Sequence, residues 1–376
     1  MNRYRVRWRS PDGRSRSQTF DKKVDADRHL TTVQHSKLDG SYVDPGKGRL
    51  TMAEWVPMWR SGIVDLRPST LARDDGYVDR YILPTFGSKR LADTDRTAVT
   101  AWIAQMVTTG PIPWWDVAEE PKRRRRPLSP ATATKAAQIL GKIMKAAVDA
   151  GRIKVSPCTG VKLPRIEREE MRFLTPAEVR TLADEIVPEY KAAVLLGAYG
   201  GLRVGEIFGL RAGRVDILRS RVDVAEILVE VSGRLHYGPP KTKAGRRGVP
   251  LPRIANDALN EHLQSFPAGP DDLVFRSPDG DATRLSNWRH RVWEPAVKSA
   301  GLEHLRPHDL RHTAVALWID AGASPREIAA RAGHTSVVTV LDRYGHLYPG
   351  SESKVNDALD AMAATSAESG TVTVIG

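Results

Sequence analysis

The chain of 376 residues contains a single cysteine, Cys158. One thiol excludes an internal disulfide framework, fits a reducing cytoplasm, and leaves no thiolate set for a structural zinc. No run of about 18 apolar residues occurs, so no membrane span is expected. The opening stretch MNRYRVRWRSPDGRSRS has charge but no apolar segment behind it, and no secretory signal is expected either. No internal repeat is visible.

Positive charge is what the chain has in excess. Lys and Arg number 57 against 45 Asp and Glu, a net charge of +12. Such a balance favours a polyanionic partner, most often nucleic acid, over a basic protein of no special affinity. With 41% hydrophobic and 27% charged residues, the chain has material for real cores, and its length calls for two or three domains.

The N-terminal stretch RYRVRWR alternates strictly. Tyr4, Val6 and Trp8 share one strand face, and Arg3, Arg5, Arg7 and Arg9 share the other. Pro11 and Gly13 mark a turn, SRSQTF reads as a second strand, and a helix is expected from about Lys22 to Leu38. Four like charges at period two repel unless an anion lies against them, so this face suits DNA phosphates; a solvated edge is the alternative. YVDPGKGRL at 42–50 reads as a linker. Periodic helices follow in TMAEWVPMWRSG, RPSTLARDDGYVDRYILPTFG and TDRTAVTAWIAQMVTTG. The Pro-rich segment that interrupts them carries Lys122, Arg123, Arg124, Arg125 and Arg126, a run able to grip phosphates or simply to be solvated. A long helix resumes in PATATKAAQILGKIMKAAVDAGRI, with Gly151 suited to its C-terminal cap.

After a charged linker at 162–172 the chain reads as a new domain. Thr175 and Glu178 form a capping box with Pro176 at the first helical position. Successive strands are expected in SRVDVAEILVEVSGRLHYGPPKTKAGRRGVPLP, with a turn around KTKAG, and the remainder is helical before a low-complexity tail.

Four places in this domain carry groups suited to phosphate chemistry. GGLRVGE sets Arg203 where a Gly-rich segment meets a helix, with Glu206 one turn on to hold its guanidinium. PPKTKAGRR offers Lys241 and Lys243 at an exposed turn. RPHDLRHT spaces His308 and Arg311 for one helix face, with His312 beside them. RAGHTSVVTVLDRYGHL sets His334 ten residues before Tyr344, with His346 two residues beyond. Each has a plain structural alternative: a surface ion pair, a solvated lysine, a helix cap, a core aromatic. Their joint occurrence in this order is not explained that way.

That order, LRVGE, hairpin lysine, HDLRH, GH and then Tyr, resembles the tyrosine recombinases, specifically phage-type integrases. YILPTFGSKRLADTDRTAVTAWI is similar to the family's helical core-binding domain, LTPAEVRTL to the entry of its catalytic domain, and the N-terminal basic strands to its small arm-binding sheet. The implied fold is α+β and mainly α: an arm-type sheet plus helix at 1–45, a helical core-binding domain at 50–165, a mixed α/β catalytic domain at 172–350, and a tail at 351–376. The family's sheet usually has three strands, and this chain starts at what corresponds to the second. PKRRRRP resembles an insertion into the core-binding domain.

The resemblance implies that Tyr344 attacks a DNA phosphodiester, leaving a 3′-phosphotyrosyl link and a free 5′-hydroxyl. Arg203 and Arg311 would hold the non-bridging oxygens, His334 would hydrogen-bond the same phosphate, and His308 would manage the phenolic proton. The general acid for the 5′-oxygen would be Lys241, with Lys243 the alternative; Glu206, His346 and His312 would support. The physical logic agrees. Arg forks stabilise charge on equatorial oxygens, a phenol needs its proton removed, and the 5′-oxygen leaves badly unless protonated. No carboxylate cluster in these motifs is set to hold Mg²⁺, and neither metal nor cofactor is implied. The implied partners are double-stranded attachment sites, a homotetramer on DNA, and possible host bending protein and excisionase, in the bacterial cytoplasm and encoded by a phage or mobile element. Competing readings are a chromosome or plasmid resolvase, a transposon integrase, a type IB topoisomerase, and a DNA-binding regulator without catalysis.

Overall fold

The computed structural model describes residues 3–10, 13–38, 42, 47–111, 126–167, 171–348 and 352–368. Pro11 of the first turn, Lys122 to Arg125, residues 43–46 of the first linker and the last eight residues lie outside them. The chain divides into two units, Met1–Arg168 and Glu169–Gly376.

In the first unit, β1 (Tyr4–Arg9) and β2 (Ser15–Phe20) pair antiparallel from Tyr4↔Phe20 to Arg9↔Ser15. The alternation holds: Val6 is buried while Arg3, Arg5, Arg7 and Arg9 are exposed. Helix α1 (Lys23–Leu38) covers the apolar face, where the His29 ring meets Trp8 edge-on at 5.2 Å and Phe20 at 5.1 Å. The helical part comprises α2 (Met52–Ser61), α3 (Pro68–Tyr77), α4 (Leu83–Phe86), α5 (Arg96–Thr108) and α6 (Pro130–Asp149). Its core is Met52, Trp55, Ile82, Phe86, Trp102, Met106, Ile139, Leu140 and Ile143, with the Trp55 indole donating to the Ile143 carbonyl at 3.2 Å. The expected single helix through RDDGYVDRYILPTF widens into a π-turn at Val78–Ile82. Pro84 is the reason, since its ring would strike the carbonyl of Arg80 in a regular helix.

In the second unit, α7 (Pro176–Glu185) begins on the Thr175–Glu178 capping box. Then come α8 (Lys191–Ala198), α9 (Val204–Phe208), β3 (Val215–Asp216), β4 (Arg221–Val224), β5 (Ile227–Val231), β6 (Arg234–Gly238), β7 (Arg247–Pro250) and α10 (Arg253–Ser265). β4 pairs with both β3 and β7, whereas among the described residues β5 and β6 pair only with each other. The lysine segment between β6 and β7 is therefore not the turn of a hairpin but a connection from one sheet to another. Pro239 and Pro240 account for this, because neither can donate to a ladder that would continue β6. A short 3₁₀ turn, Lys243–Gly245, completes the connection.

The C-terminal part adds α11 (Leu285–Trp288), a second π-turn at Arg289–Trp293, α12 (Glu294–Ser299), α13 (Asp309–Asp320), α14 (Pro325–Ala332), α15 (Val338–Tyr344) and α16 (Glu352–Glu368). Pro295 stands in the same place after this π-turn as Pro84 after the first. α8 is apolar on nearly all sides and buried from Ala192 to Ala198, as a helix at the centre of a core must be. A separate apolar cluster of Ala314, Val315, Trp318, Ile328, Ala332 and Val340 joins α13, α14 and α15, and Tyr344 belongs to it. The tail, read as low-complexity, is helical as far as Glu368. Among the described residues no helix is long and apolar enough to cross a membrane.

Candidate active site

Arg203 is placed by a turn that demands glycine. Gly201 has φ of 65°, and a Cβ there would run into the Trp318 ring. The turn aims the Gly201 carbonyl at Arg311, whose Nη1 donates to it at 2.6 Å. Arg203 then caps α9, where Glu206 accepts from its backbone N–H at 3.0 Å and from its Nη1 at 2.7 Å. The Glu206 side chain is 1% exposed. It also receives Arg247, with Nη2 to Oε2 at 3.0 Å and Nη1 to Oε1 at 3.2 Å. Burial opposes its ionisation, but the hydrogen bonds and charge of Arg247, then the charge of Arg203, hold its pKa below the ordinary carboxylate value.

Arg311 sits in the first turn of α13 and is buried. Its Nη2 donates to the Ala332 carbonyl and to His334 Nε2, the latter at 3.2 Å. Desolvation, then the neighbouring Arg203 charge, press its pKa down to about 9, so it stays charged at neutral pH. Three guanidinium groups thus gather around one carboxylate, an arrangement made for a further anion.

His334 follows a left-handed cap. Gly333, at φ of 64°, ends α14, and the His334 N–H returns to the Ala329 carbonyl at 2.9 Å. A Cβ on Gly333 would lie 2.8 Å from the Ala244 carbonyl oxygen and 3.0 Å from Arg247 Nη1, so the lysine turn packs on this cap. Desolvation, then the Arg311 and Arg203 charges, push the His334 pKa down to about 4.

Tyr344 ends α15 and is 1% exposed. Its hydroxyl lies 2.5 Å from His312 Nδ1. Burial raises the phenol pKa against the opposing charges of Arg343 and Arg311, while desolvation and then Arg343 lower that of His312. Both groups are neutral at pH 7, so the phenol donates and the imidazole accepts. His308 caps α13, its ring edge-on to His312 at 4.9 Å. Desolvation, then the His312 and Arg311 charges, bring its pKa to about 4. His346 lies exposed on the turn after Tyr344, 6.5 Å from the Phe173 ring that also faces Tyr344.

The structure therefore bonds Arg203 to Glu206 and Arg311 to His334, sets Arg311 within reach of the Arg203 and Glu206 charges, and brings Tyr344 into contact with His312. Lys241 and Lys243 stand exposed on the connection beside it. The arginines of β1 and Arg126 are exposed and belong to the other unit. Two features escape a reading of motifs: Arg247, and the phenol's bond to His312 rather than His308. Arg247 had a signal, because it shares a strand face with Val249 and Leu251, both buried. The His312 contact spans 32 residues of sequence and had none. Among the described residues, no cluster of three His, Cys, Asp or Glu side chains is set to hold a metal.

A buried Arg311 tied to His334, a half-buried Arg203 braced by Glu206, and a sequestered phenol share one unit of a mainly helical frame, a set of groups suited to phosphoryl transfer through tyrosine. Residues 172–350 match the phage integrase family. That segment belongs to the family, and the chain is a site-specific tyrosine recombinase. It is 27% identical over 374 residues to the prophage phiRv2 integrase of Mycobacterium tuberculosis strain H37Rv, covering 96% of this chain and 93% of that one. It is 24% identical over 361 residues to the integrase of Mycobacterium phage L5, covering 93% and 91%. Among solved structures, the Tn1549 transposon integrase in complex with transposon right end DNA superposes with a TM-score of 0.66 at 18% identity, covering 84% of this chain and all of that one. A lambda integrase dimer bound to a core site gives 0.56 at 14% identity, covering 88% and 89%.

Proposed function

We propose that this chain integrates, and excises, the DNA of a phage or mobile element by cutting and rejoining strands at paired attachment sites. The observation that carries the reading is the gathering, in one unit, of the Glu206-braced Arg203, the His334-bonded Arg311 and the buried Tyr344 phenol. In the reaction the Tyr344 oxygen attacks the scissile phosphorus while the bond from phosphorus to the 5′-oxygen breaks. The phenolic proton passes to His312, its hydrogen-bond partner, with His308 next in line. The leaving 5′-oxygen takes a proton from Lys241, or from Lys243 two residues on. Arg203 and Arg311 neutralise charge on the non-bridging oxygens, and His334 adds a hydrogen bond to the same phosphate. The 3′-phosphotyrosyl link conserves bond energy for attack by a partner strand's 5′-hydroxyl.

The two units divide the labour. Residues 1–45 bind arm sites through Arg3, Arg5, Arg7 and Arg9, residues 50–165 hold the core site with the 122–126 run on its backbone, 172–350 do the chemistry, and 351–376 joins neighbours. The assembly is a tetramer on two duplexes in the bacterial cytoplasm, aided by a bending protein and an excisionase. The lambda and Tn1549 relatives captured on DNA support this reading. The test is covalent trapping on a nicked suicide duplex carrying the element's attachment core. Wild type gives a protein–DNA adduct; Tyr344→Phe binds the duplex and gives none. An adduct in the Phe variant refutes the nucleophile, and no adduct with wild type favours a binding-only regulator.

A further inference from the structure

We infer that Arg247 is a positioning residue that sets the proton-donating lysine turn against the phosphate-binding arginines. The inference rests on the reading of a turn lysine as the general acid.

Lys241 and Lys243 are exposed, and among the described residues no hydrogen bond or ion pair holds either side chain. The backbone of the turn is fixed instead. Gly245 N–H returns to the Thr242 carbonyl at 3.0 Å, and Arg246 N–H to that of Lys243 at 3.1 Å. Gly245 is buried so closely on Pro240 that a Cβ would lie 2.5 Å from the proline ring. What attaches this closed turn to the rest of the centre is the Arg247 guanidinium. Nη1 donates to the Gly245 carbonyl at 3.1 Å, Nε donates to the Arg331 carbonyl at 2.6 Å, and both terminal nitrogens engage Glu206. One planar group therefore touches the turn, the end of α14 that carries His334, and the carboxylate that holds Arg203.

Its side chain is 7% exposed, against 37% for Arg203. Arg203 keeps a solvent face on which an incoming phosphate can lie, whereas Arg247 spends its donors on its own chain. That separates their roles: Arg203 meets substrate, and Arg247 acts through its neighbours. A lysine in place of Arg247 keeps the charge opposite Glu206 but cannot span three acceptors from one rigid plane.

The test compares two leaving groups in the full-length protein. A suicide duplex carrying the attachment core is made with the ordinary 5′-oxygen and with sulfur at that bridging position. Sulfur leaves without protonation, so a defect confined to the general acid vanishes on it. Arg247→Lys and Arg247→Met should cut the oxygen substrate about ten- to a hundredfold more slowly than wild type, less than the roughly hundred- to ten-thousandfold that acid–base catalysis contributes, because the lysine itself is still present. Both should return to within about threefold of wild type on sulfur, as should Lys241→Ala. Arg203→Ala should remain slow on both.

Melting curves identify any variant that has lost its fold, and Arg247→Lys is the milder of the two. If a lysine variant is restored by sulfur while the Arg247 variants stay slow, or if they cut oxygen at the wild-type rate, the inference is overturned alone. Restoration of Lys243→Ala in place of Lys241→Ala moves the acid along the turn and supports the role of Arg247. If sulfur restores neither lysine variant, the general-acid reading falls and the inference with it.

Discussion

Replacing Glu206 by Gln removes one charge and almost no volume, and its consequence can be worked from the contacts. The carboxylate accepts four hydrogen bonds, two from Arg203 and two from Arg247. With its side chain 1% exposed, solvent cannot take over when the charge goes. Taking one partner from a buried ion pair costs about 3–5 kcal/mol, because the remaining charge is stranded. Arg203 is more than a third exposed, so water screens much of its share. Arg247 carries the rest, which puts the expected loss near the lower end, about 3 kcal/mol. For a unit of this size each kcal/mol moves the melting temperature by about 2–4 °C, so the transition of residues 169–376 should fall by about 6–12 °C. Differential scanning calorimetry reads this directly. The deficit should persist in about 0.5 M salt, since screening acts weakly on a buried pair. Single-turnover cleavage should slow as well, because Arg203 loses its brace. A shift of under about 2 °C with undiminished cleavage would refute the role given to this carboxylate.

Other outcomes follow from the same geometry. His308, His312 and His334 all have folded-state pKa values below the unfolded value of about 6.5, so the unfolded chain binds more protons at mildly acid pH and stability rises with pH. The stability they lend is intact above about 6.5 and is lost as pH falls toward about 4; the fall in melting temperature should be shallower in His334→Gln, and equal slopes would count against it. Gly201→Ala forces a positive φ and a clash with Trp318, so a loss of about 1–3 kcal/mol is expected, with cleavage falling as Arg311 loses its carbonyl. An unaltered denaturation midpoint would rule that out. Removing residues 1–45 should spare cleavage at the core and weaken binding at arm sites, and equal arm-site affinity would reject the role of the β1 arginines. DNA affinity should fall steeply with added salt, and a flat titration would argue against many phosphate contacts.

Much of this centre was legible because its groups lie in short local patterns. Arg203 and Glu206 are one helical turn apart, as are His308 and Arg311. The alternation of Tyr4, Val6 and Trp8 against four arginines gave the strand face directly. What the sequence concealed depends on pairing across distance. β7 joins β4 rather than β6, a choice made by side-chain packing and by two prolines rather than by turn chemistry. That choice alone carries Arg247 to Glu206, 41 residues away in sequence. The π-turns were half legible: Pro84 and Pro295 forbid a regular helix, but a break and a widened turn answer that constraint equally well.

The bond between Arg311 and His334 has a further consequence. A guanidinium can only donate, so His334 Nε2 is the acceptor and the ring proton is on Nδ1. That Nδ1 is buried and has no partner among the described residues. For His334 to donate from Nε2 to a phosphate oxygen, the proton must change nitrogens. Occupation of the centre by a phosphodiester is then also a tautomer exchange, relieving a stranded N–H as it forms a useful one. Nitrogen-15 chemical shifts of a single imidazole, recorded with and without DNA, would follow substrate arrival at the scissile position without any bond being cut.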